Sequence, residues 1–223
     1  DCSRPCRGAR VQATLEEQGC VVSEDWRRQV FEPRNVQGVR VPGLLYGTAW
    51  KEERTSGLVL RALRAGFRGI DTANQRRHYV EAAVGDAVVS GAVSRERLFL
   101  QTKFTSLSGQ DPQRVPYDAR AALPVQVAES VQASLKNLRV DYLDCLVLHS
   151  PMAALKSTVT VWRAMQEAHH QGLVRQLGIS NCYDRAQFEQ LCQHVQVQPA
   201  VLQNRFYADT RYDRELRALC RNR

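Results

Sequence analysis

The sequence predicts an α/β fold in which short parallel strands alternate with helices, as in a (β/α) barrel. Short runs of Leu, Ile and Val recur along the chain, and a stretch with helical periodicity follows each run, as expected for buried parallel strands. Five of these runs end at a polar or ionisable residue, namely Asp71, Lys103, His149, Ser180–Asn181 and Gln203. Because the C-terminal ends of barrel strands converge on one face, the sequence predicts a single site built from residues far apart along the chain.

The elements before residue 105 follow this alternation. Residues 1–37 mix charges with little hydrophobic periodicity, so we expect an irregular N-terminal extension. Two short runs of valine or leucine, separated by Pro42 and Gly43, predict a small hairpin over 38–47 that leads into the first strand. In chain order we predict a strand near 44–46, a helix at 55–65, a strand at 67–70, a helix at 81–89 and a strand at 98–103.

The second half of the chain opens with a long loop. Residues 105–124 contain Gly109 and three prolines, and a loop of this length in a compact domain tends to be functional, so we expect a lid or a substrate loop over the barrel mouth. The alternation then resumes. We predict helices at 125–138, 159–170, 185–194 and 212–220, and strands at 142–149, 174–180 and 199–203.

This pattern supplies six β/α units, whereas a closed barrel of the class has eight. No linker divides the region, so residues 38–223 are predicted to form one partial barrel. We expect the chain to be C-terminally truncated, either as a fragment or as a truncated product that needs a partner.

Composition favours a small anionic cofactor over nucleic acid or membrane. The net charge is +8, but the arginines are scattered along the chain, which is typical of solvated surface and not of a nucleic-acid-binding patch. No window reaches the roughly 18 consecutive apolar residues of a membrane-spanning helix. We therefore interpret the basic charge as suited to an anionic phosphorylated cofactor.

The seven cysteines indicate reduced thiols in a cytosol-like compartment. Their number is odd, the sequence has no Asn-X-Ser/Thr sequon, and Cys145 lies inside an apolar strand, which disfavours a disulfide framework. Cys2, Cys6 and Cys20 have no fourth ligand at a usable spacing, so we expect no metal site. No apolar signal-peptide core follows Asp1, so we expect a cytoplasmic protein.

The residues at the strand ends suit reduction of a carbonyl group without a metal. This reaction needs a hydride donor, an acid that protonates the forming alkoxide, and polar groups that hold both. A tyrosine becomes such an acid if a neighbouring ammonium lowers its pKa from about 10, and a buried carboxylate keeps that ammonium charged. Lys103 and Asp71 fit these two roles, and His149 would hydrogen-bond the substrate carbonyl. The neutral side chains suited to a nicotinamide carboxamide are those of Ser180, Asn181 and Gln203.

Each ionisable residue also has a purely structural interpretation when taken alone. Asp71 could cap the next helix, Lys103 could be a solvated charge, and His149 could be a hydrogen-bonded core histidine. Their joint occurrence at successive strand ends favours the chemical interpretation. No GxGxxG or P-loop motif occurs, so a cofactor would not be held by the glycine-rich device of a Rossmann domain.

Seven segments from about residue 38 onward carry a family resemblance. They read LLYGTAW, ALRAGFRGIDTA, VEAAVGDAV, FLQTKF, SLKNLRVDYLDCLVLHSP, VWRAMQEAHHQGLVRQLGISN and PAVLQNRFY. In their order and spacing the chain resembles the aldo-keto reductases, with the longer blocks at 141–151 and 172–181 making the resemblance specific.

The resemblance implies a TIM (β/α)8-type barrel, NADPH as the cofactor, and reduction of aldehydes and ketones by an Asp, Tyr, Lys and His tetrad. Asp71, Lys103 and His149 match this tetrad position by position. The resemblance also implies cofactor contacts at Gly47, Thr48, Ser180, Asn181 and Gln203. The preference for NADPH over NADH rests on the resemblance alone.

The tetrad tyrosine is where the sequence departs from the family pattern. In the family it usually lies five residues after the aspartate and three before the glutamate of a Tyr-x-x-Glu pattern. Here Tyr79 lies two before Glu81, and His78 occupies the register position. We assign Tyr79 as the acid, because a loop can realign by one residue and a histidine alone offers less for alkoxide protonation.

Other functions remain open from the residues. One is a non-catalytic nucleotide-sensing subunit of the same fold, another is an inactive truncated fragment, and a third is a TIM-barrel enzyme of unrelated chemistry such as a phosphate-handling isomerase. The residues specify a small carbonyl compound as the substrate class, but neither the physiological substrate nor the oligomeric state.

Overall fold

The computed structural model describes residues 32–222, in which a parallel sheet of six strands curls into part of a barrel with helices outside it. The strands in this range are β1 (Arg34–Val36), β2 (Val39–Val41), β3 (Leu45–Gly47), β4 (Gly69–Asp71), β5 (Phe99–Phe104), β6 (Leu143–Leu148), β7 (Val174–Ser180) and β8 (Val201–Gln203). The α-helices are α1 (Thr55–Arg64), α2 (Glu81–Val89), α3 (Leu123–Leu138), α4 (Leu155–His170), α5 (Arg185–His194) and α6 (Arg214–Arg221). Short 3₁₀ turns lie at Glu52–Arg54, Arg95–Arg97, Leu107–Gly109 and Ala208–Asp213.

Strands β3 to β8 lie side by side in chain order, and every neighbouring pair is parallel. A helix lies between each successive pair of these strands, which is the βαβ arrangement expected from the alternating sequence pattern. The predicted partial barrel is therefore confirmed. Its register aligns the strand ends, because Asp71 pairs with Gln101 and Lys103 pairs with Val147.

The two faces of the sheet bury different residues. One face packs against the helices, with Leu100, Leu146 and Leu177 in the same apolar cluster as the helix residues Trp162 and Met165. On the opposite, concave face Phe99, Cys145 and Val147 form a smaller cluster capped by Val39 of the hairpin. Because strand side chains alternate, the residues that follow this inner cluster by two positions also face the barrel interior.

The N-terminal hairpin begins earlier than predicted. It pairs β1 with β2, whereas the sequence placed the hairpin over 38–47 and expected residues 1–37 to be irregular. Gln37 and Gly38 form the two-residue turn with φ values of 50° and 81°, the conformation that hairpins favour. The Asn35 side chain accepts a hydrogen bond from the Gly38 N–H at 2.9 Å and supports this turn. Residues 1–31, with Cys2, Cys6 and Cys20, lie outside the described residues.

Two helices start before their predicted first residues. Helix α3 begins at Leu123, although the sequence placed Pro124 in the preceding loop. A proline is tolerated in the first helical turn because its missing N–H has no intrahelical partner there. Helix α4 begins at Leu155, four residues before the predicted 159, and Leu155 packs against the core that contains Val159. The last helix starts only at Arg214, because positive φ angles of 52° and 56° at Arg211 and Tyr212 interrupt the predicted one.

None of the described helices is both long enough and apolar enough to cross a membrane. In the same range, no group of three or more His, Cys, Asp and Glu side chains is placed to hold a metal ion.

Candidate active site

Lys103 and Asp71 form a buried ion pair at the C-terminal ends of β5 and β4. The Lys103 Nζ donates to Asp71 Oδ1 at 2.6 Å and to the Thr72 carbonyl oxygen at 2.8 Å. Their exposed fractions are 3% for Lys103 and 8% for Asp71. The pair contact expected from the sequence is therefore present, and it is a charge-assisted hydrogen bond shielded from solvent.

Asp71 also accepts hydrogen bonds from two inward-facing glutamines. The Gln101 Nε2 lies 2.8 Å from Oδ1, and the Gln203 Nε2 lies 3.2 Å from Oδ2. The Gln101 Nε2 also lies 3.0 Å from Gln203 Oε1, which links β5 to β8, the last strand of the sheet, across its interior. Gln101 was not among the residues predicted from the sequence. The signal was available, because Gln101 lies two residues before Lys103 and so shares its face of β5.

Tyr79 lies beside the ion pair in the loop between β4 and α2. The Lys103 Nζ is 5.4 Å from the centroid of the Tyr79 ring, and the His149 ring is 6.1 Å from it in an edge-on arrangement. His78 instead stacks on Trp50, with ring centroids 3.6 Å apart and Trp50 exposed. Tyr79 therefore lies against the Lys103 ammonium, while the neighbouring His78 ring packs on a residue of the loop after β3.

The pKa of Tyr79 is raised to about 12, first by burial and then by the negative charge of Asp71. The expectation that Lys103 lowers this pKa is wrong in this structure. The physical reason is burial of the phenol in the first place, and in the second the negative charge of Asp71, which is paired with Lys103 at 2.6 Å. The phenol is consequently protonated at neutral pH, which is the form that a proton donor requires.

His149 follows β6 directly and is held by three contacts. Its backbone N–H donates to the Phe104 carbonyl oxygen at 2.9 Å, and its own carbonyl oxygen accepts from the Asn181 Nδ2 at 2.8 Å. Its ring Nδ1 lies 2.7 Å from the Thr105 Oγ1. Burial, and then the charge of Lys103, lower the pKa of His149 to about 4, so the imidazole is neutral at neutral pH.

The residues expected to contact a cofactor lie around the same barrel mouth, but several already have internal partners. The Thr48 Oγ1 donates to the Asp71 carbonyl oxygen at 3.0 Å, and the Ser180 Oγ donates to the Gln203 carbonyl oxygen at 2.6 Å. Gly47 and Asn181 are exposed, and nothing lies within 4 Å of a Cβ built on Gly47.

This donor set fits a nicotinamide amide in part. The Asn181 Oδ1 is at an exposed position with only a long contact of 3.4 Å from the Tyr183 hydroxyl, and the Ser180 oxygen keeps an acceptor lone pair. The Gln203 amide, by contrast, points inward to Asp71 and Gln101. It would have to release these bonds to meet a carboxamide.

A second buried carboxylate anchors the segment that carries Tyr79. Glu81 is only 4% exposed, and its Oε1 accepts hydrogen bonds from the Thr102 Oγ1 at 2.6 Å and the Ser134 Oγ at 2.9 Å. Its Oε2 accepts from the Asn137 Nδ2 at 3.1 Å. Burial raises the pKa of Glu81 in spite of these donors. The contacts join the first turn of α2 to β5 and to α3, two residues from Tyr79.

The long loop between β5 and α3 is tied to the segment after β4. The Gln110 Nε2 donates to the carbonyl oxygens of Asn74 at 2.8 Å and Thr105 at 3.1 Å, and the Tyr117 hydroxyl donates to the Thr105 carbonyl oxygen at 2.7 Å. The Gln75 Nε2 donates to the Gly109 carbonyl oxygen at 2.9 Å. The loop expected to be a lid is therefore bonded to the wall of the site in this structure.

Comparison with known proteins gives a family match over most of the chain. The model of the Aldo/keto reductase family matches residues 44–223. A methylglyoxal reductase DkgA of Salmonella typhimurium is 34% identical over 134 residues, which are 59% of this chain and 42% of that protein. An aldo-keto reductase of Mycobacterium avium is 38% identical over 144 residues, which are 64% of this chain and 45% of that protein. The chain thus spans less than half the length of the curated relatives it matches.

Solved structures resemble the fold at 27% sequence identity. An aldo/keto reductase from Brucella melitensis matches with a TM-score of 0.71 and 27% identity, over 86% of this chain and 69% of that one. A Bombyx mori aldo-keto reductase in complex with NADP matches with a TM-score of 0.64 and 27% identity, over 78% of this chain and 58% of that one.

Proposed function

Because the chain belongs to the aldo/keto reductase family, we propose that this protein reduces aldehydes and ketones to alcohols with NADPH. The observation that carries the proposal is the buried Lys103–Asp71 pair at 2.6 Å, with the Tyr79 ring centroid 5.4 Å from the Lys103 Nζ. An ammonium, a carboxylate and a phenol in one water-poor site have a chemical use in carbonyl reduction. They have no evident use in holding the fold together, because a buried ion pair is weak evidence for stability.

Tyr79 is the general acid in this proposal. It donates its hydroxyl proton to the alkoxide oxygen that forms on the substrate, and the transfer is favourable because an alkoxide is more basic than a phenolate. The Lys103 Nζ lies 5.4 Å from the centroid of the ring that then carries the negative charge, and Asp71 holds Lys103 in place through their 2.6 Å contact. His149 is neutral and donates a ring N–H to the carbonyl oxygen, which orients the substrate between the histidine and the tyrosine.

NADPH, when bound, supplies the hydride that reduces the carbonyl carbon. Ser180 and Asn181 would hold the carboxamide of its nicotinamide. Gln203 would also bind the carboxamide once its side-chain amide releases its hydrogen bond to Asp71. Gly47 leaves room for the cofactor at the end of β3, because no side chain fills that position.

Small aldehydes are the proposed substrates. Relatives of 34% identity are named methylglyoxal reductases, and the exposed Trp50 ring beside His78 offers an apolar wall at the entrance to the site. We also propose a cytoplasmic location, since Cys145 and Cys182 are buried free thiols that suit a reducing compartment.

The decisive experiment replaces the proposed acid. In a version of the chain extended to eight strands, Tyr79→Phe removes the donated proton and keeps the ring against Lys103, so kcat for NADPH-dependent reduction of methylglyoxal should fall by about 10²- to 10⁴-fold, the usual contribution of a general acid. NADPH oxidation followed by absorbance gives the rate, and His78→Ala is the matched comparison, which should keep most of it.

Two outcomes would change the proposal. A loss of that size in His78→Ala but not in Tyr79→Phe would move the acid to His78. NADPH binding without turnover in the extended protein would instead identify a nucleotide-sensing subunit of the same fold.

A further inference from the structure

We propose that Thr105 is a positioning residue that fixes the tautomer of His149, holding the single ring proton on Nε2. The inference rests on the proposed carbonyl reduction for its purpose, but its geometry is independent of that activity. Nothing in the sequence pattern or in the family match points to Thr105.

Strand pairing places the two residues side by side. The His149 N–H donates to the Phe104 carbonyl oxygen at 2.9 Å, so the parallel ladder between β5 and β6 continues one step past both strands. Thr105 and His149 are the next residues out from that bond. Their side chains meet with the Thr105 Oγ1 at 2.7 Å from the His149 Nδ1, and Thr105 is only 5% exposed.

The long loop holds the threonine rigidly. The Thr105 carbonyl oxygen accepts hydrogen bonds from the Tyr117 hydroxyl at 2.7 Å and from the Gln110 Nε2 at 3.1 Å. The Tyr117 ring also packs on Phe104, with centroids 5.7 Å apart. These contacts fix the backbone on either side of the hydroxyl, so its position against the imidazole is determined by the loop.

The direction of the hydrogen bond follows from the surroundings of the hydroxyl. Within residues 32–222 the Thr105 Oγ1 has no second hydrogen-bond partner besides the His149 Nδ1. If Nδ1 carried the proton, the hydroxyl would accept it, and its own O–H would be buried without an acceptor, at a cost that folded proteins avoid. The hydroxyl therefore donates to Nδ1.

A neutral imidazole has one N–H, so a proton-free Nδ1 leaves that proton on Nε2. Burial, and then the charges of Lys103 and His78, disfavour the imidazolium, whereas Asp71 favours it, and the lowered pKa leaves His149 neutral. In the proposed reaction the Nε2–H donates to the substrate carbonyl oxygen. The opposite tautomer would present a lone pair to that oxygen and repel it.

The test reads the tautomer directly by NMR of the protein labelled with ¹⁵N in its histidines. The ring nitrogens of a neutral histidine have widely separated shifts, one for the protonated and one for the proton-free nitrogen. His149→Gln identifies the His149 signals among those of the five histidines. In the unmodified protein at pH 7 we expect a proton-free Nδ1 and a protonated Nε2, and a protonated Nδ1 there overturns the inference without any threonine variant.

Variants then show whether the hydroxyl is the cause. Thr105→Val removes the hydroxyl at nearly constant volume, and we expect the Nε2–H signature to give way to a mixture of tautomers, whereas Thr105→Ser should restore it. Thr72→Val is the matched control for the spectrum, because Thr72 is 1% exposed and its Oγ1 has no hydrogen-bond partner among the described residues. An unchanged Nε2–H tautomer in folded Thr105→Val overturns the inference.

Kinetics separate this inference from the proposed function. In Thr105→Val we expect kcat/KM for the carbonyl substrate to fall by about 10- to 100-fold, as for other groups that orient a functional imidazole, with the NADPH dissociation constant unchanged. If the chain extended to eight strands shows no turnover, the proposed function fails while the NMR result still decides the role of Thr105.

Discussion

At the residue scale, Lys103 and Asp71 are buried charges, and each offsets the free-energy cost of burying the other. Removing two charges from water costs several kcal/mol each, and the direct contact offsets this only when the remaining hydrogen-bonding groups are satisfied. Here Asp71 has Gln101 and Gln203 as further donors, and Lys103 has the Thr72 carbonyl oxygen. Either charge would therefore be unfavourable at this buried position without the other.

This compensation predicts a strongly non-additive pair of substitutions. Lys103→Met leaves the Asp71 carboxylate buried without its cation, and Asp71→Asn leaves the ammonium without its anion, so each single change should cost about 3–5 kcal/mol of unfolding free energy. Lys103→Met combined with Asp71→Asn buries no charge and should be less destabilised than the sum of the two by more than about 1 kcal/mol. Urea unfolding of the four proteins measures this coupling, and additive losses would show that the pair is not energetically linked.

The sequence identified the ion pair, but not the electrostatics around it. Asp71, Lys103 and His149 could be predicted to meet because strand ends converge by topology alone. The raised pKa of Tyr79 could not be predicted, since it depends on burial and on the distance to Asp71, which a longer loop between β4 and α2 determines. Thr105 was missed for a similar reason: its hydroxyl matters only through its 2.7 Å contact with a residue 44 positions away.

At the element scale, α2 and α3 approach so closely that their contact requires a glycine. A Cβ built on Gly85 collides with the Asn137 carbonyl oxygen and lies 3.0 Å from the Leu138 carbonyl carbon. Both neighbours are backbone atoms, which cannot move aside as a side-chain end can. The same two helices converge on Glu81, so this close crossing also sets the position of the segment that carries Tyr79.

The crossing predicts opposite effects for one substitution at two glycines. Gly85→Ala forces the helices apart and should lower the free energy of unfolding by at least about 1–3 kcal/mol. Gly57→Ala in α1 is the matched control, because nothing lies within 4 Å of its added Cβ, and alanine there should stabilise by about 0.4–1 kcal/mol through the unfolded state. Thermal and urea unfolding measure both. Equal effects at the two positions would contradict the proposed backbone contact.

Element identities could be predicted better than element ends. Helices α2 and α5 and strand β7 have the bounds that the periodicity indicated, because hydrophobic spacing is strong there. The hairpin turn at Gln37–Gly38 was missed because its signal is a pair of positive φ angles and not a hydrophobic pattern. The start of α4 at Leu155 was missed although Leu155 lies four residues before Val159 on the core-facing side, because Lys156, Ser157 and Thr158 between them are polar.

At the scale of the whole molecule, the two outer strands of the sheet differ from the central ones. Among residues 32–222, β3 and β8 each have a parallel neighbour on one side only, and their residues are half-buried or exposed, whereas every residue of β5 and β6 is buried. A barrel of this class closes with eight strands, and unpaired strand edges attract other chains. The six strands of this sheet include the ones that carry the ion pair and precede His149.

The open sheet predicts how the polypeptide of residues 1–223 behaves when it is tested alone. The predicted cofactor contacts at Gly47 and at Asn181 lie on strands near opposite ends of the sheet, so an open barrel holds them less firmly. We expect weak NADPH binding, low turnover and clear binding of a dye specific for exposed apolar surface. The chain can be extended past residue 223 with the C-terminal segment of the Brucella melitensis reductase that lies beyond the matched region. A strand of that segment should then pair with β8 and close the barrel.

The extended protein should bind NADPH about tenfold more tightly or better, since each 1.4 kcal/mol of new contact is tenfold in affinity, and its dye binding should fall. A flexible glycine–serine extension of equal length is the matched control and should change neither quantity. Fluorescence titration with NADPH measures the affinity. Tight NADPH binding and full turnover by residues 1–223 alone would show that six strands are enough to hold Asp71, Lys103, Tyr79 and His149 in their working geometry.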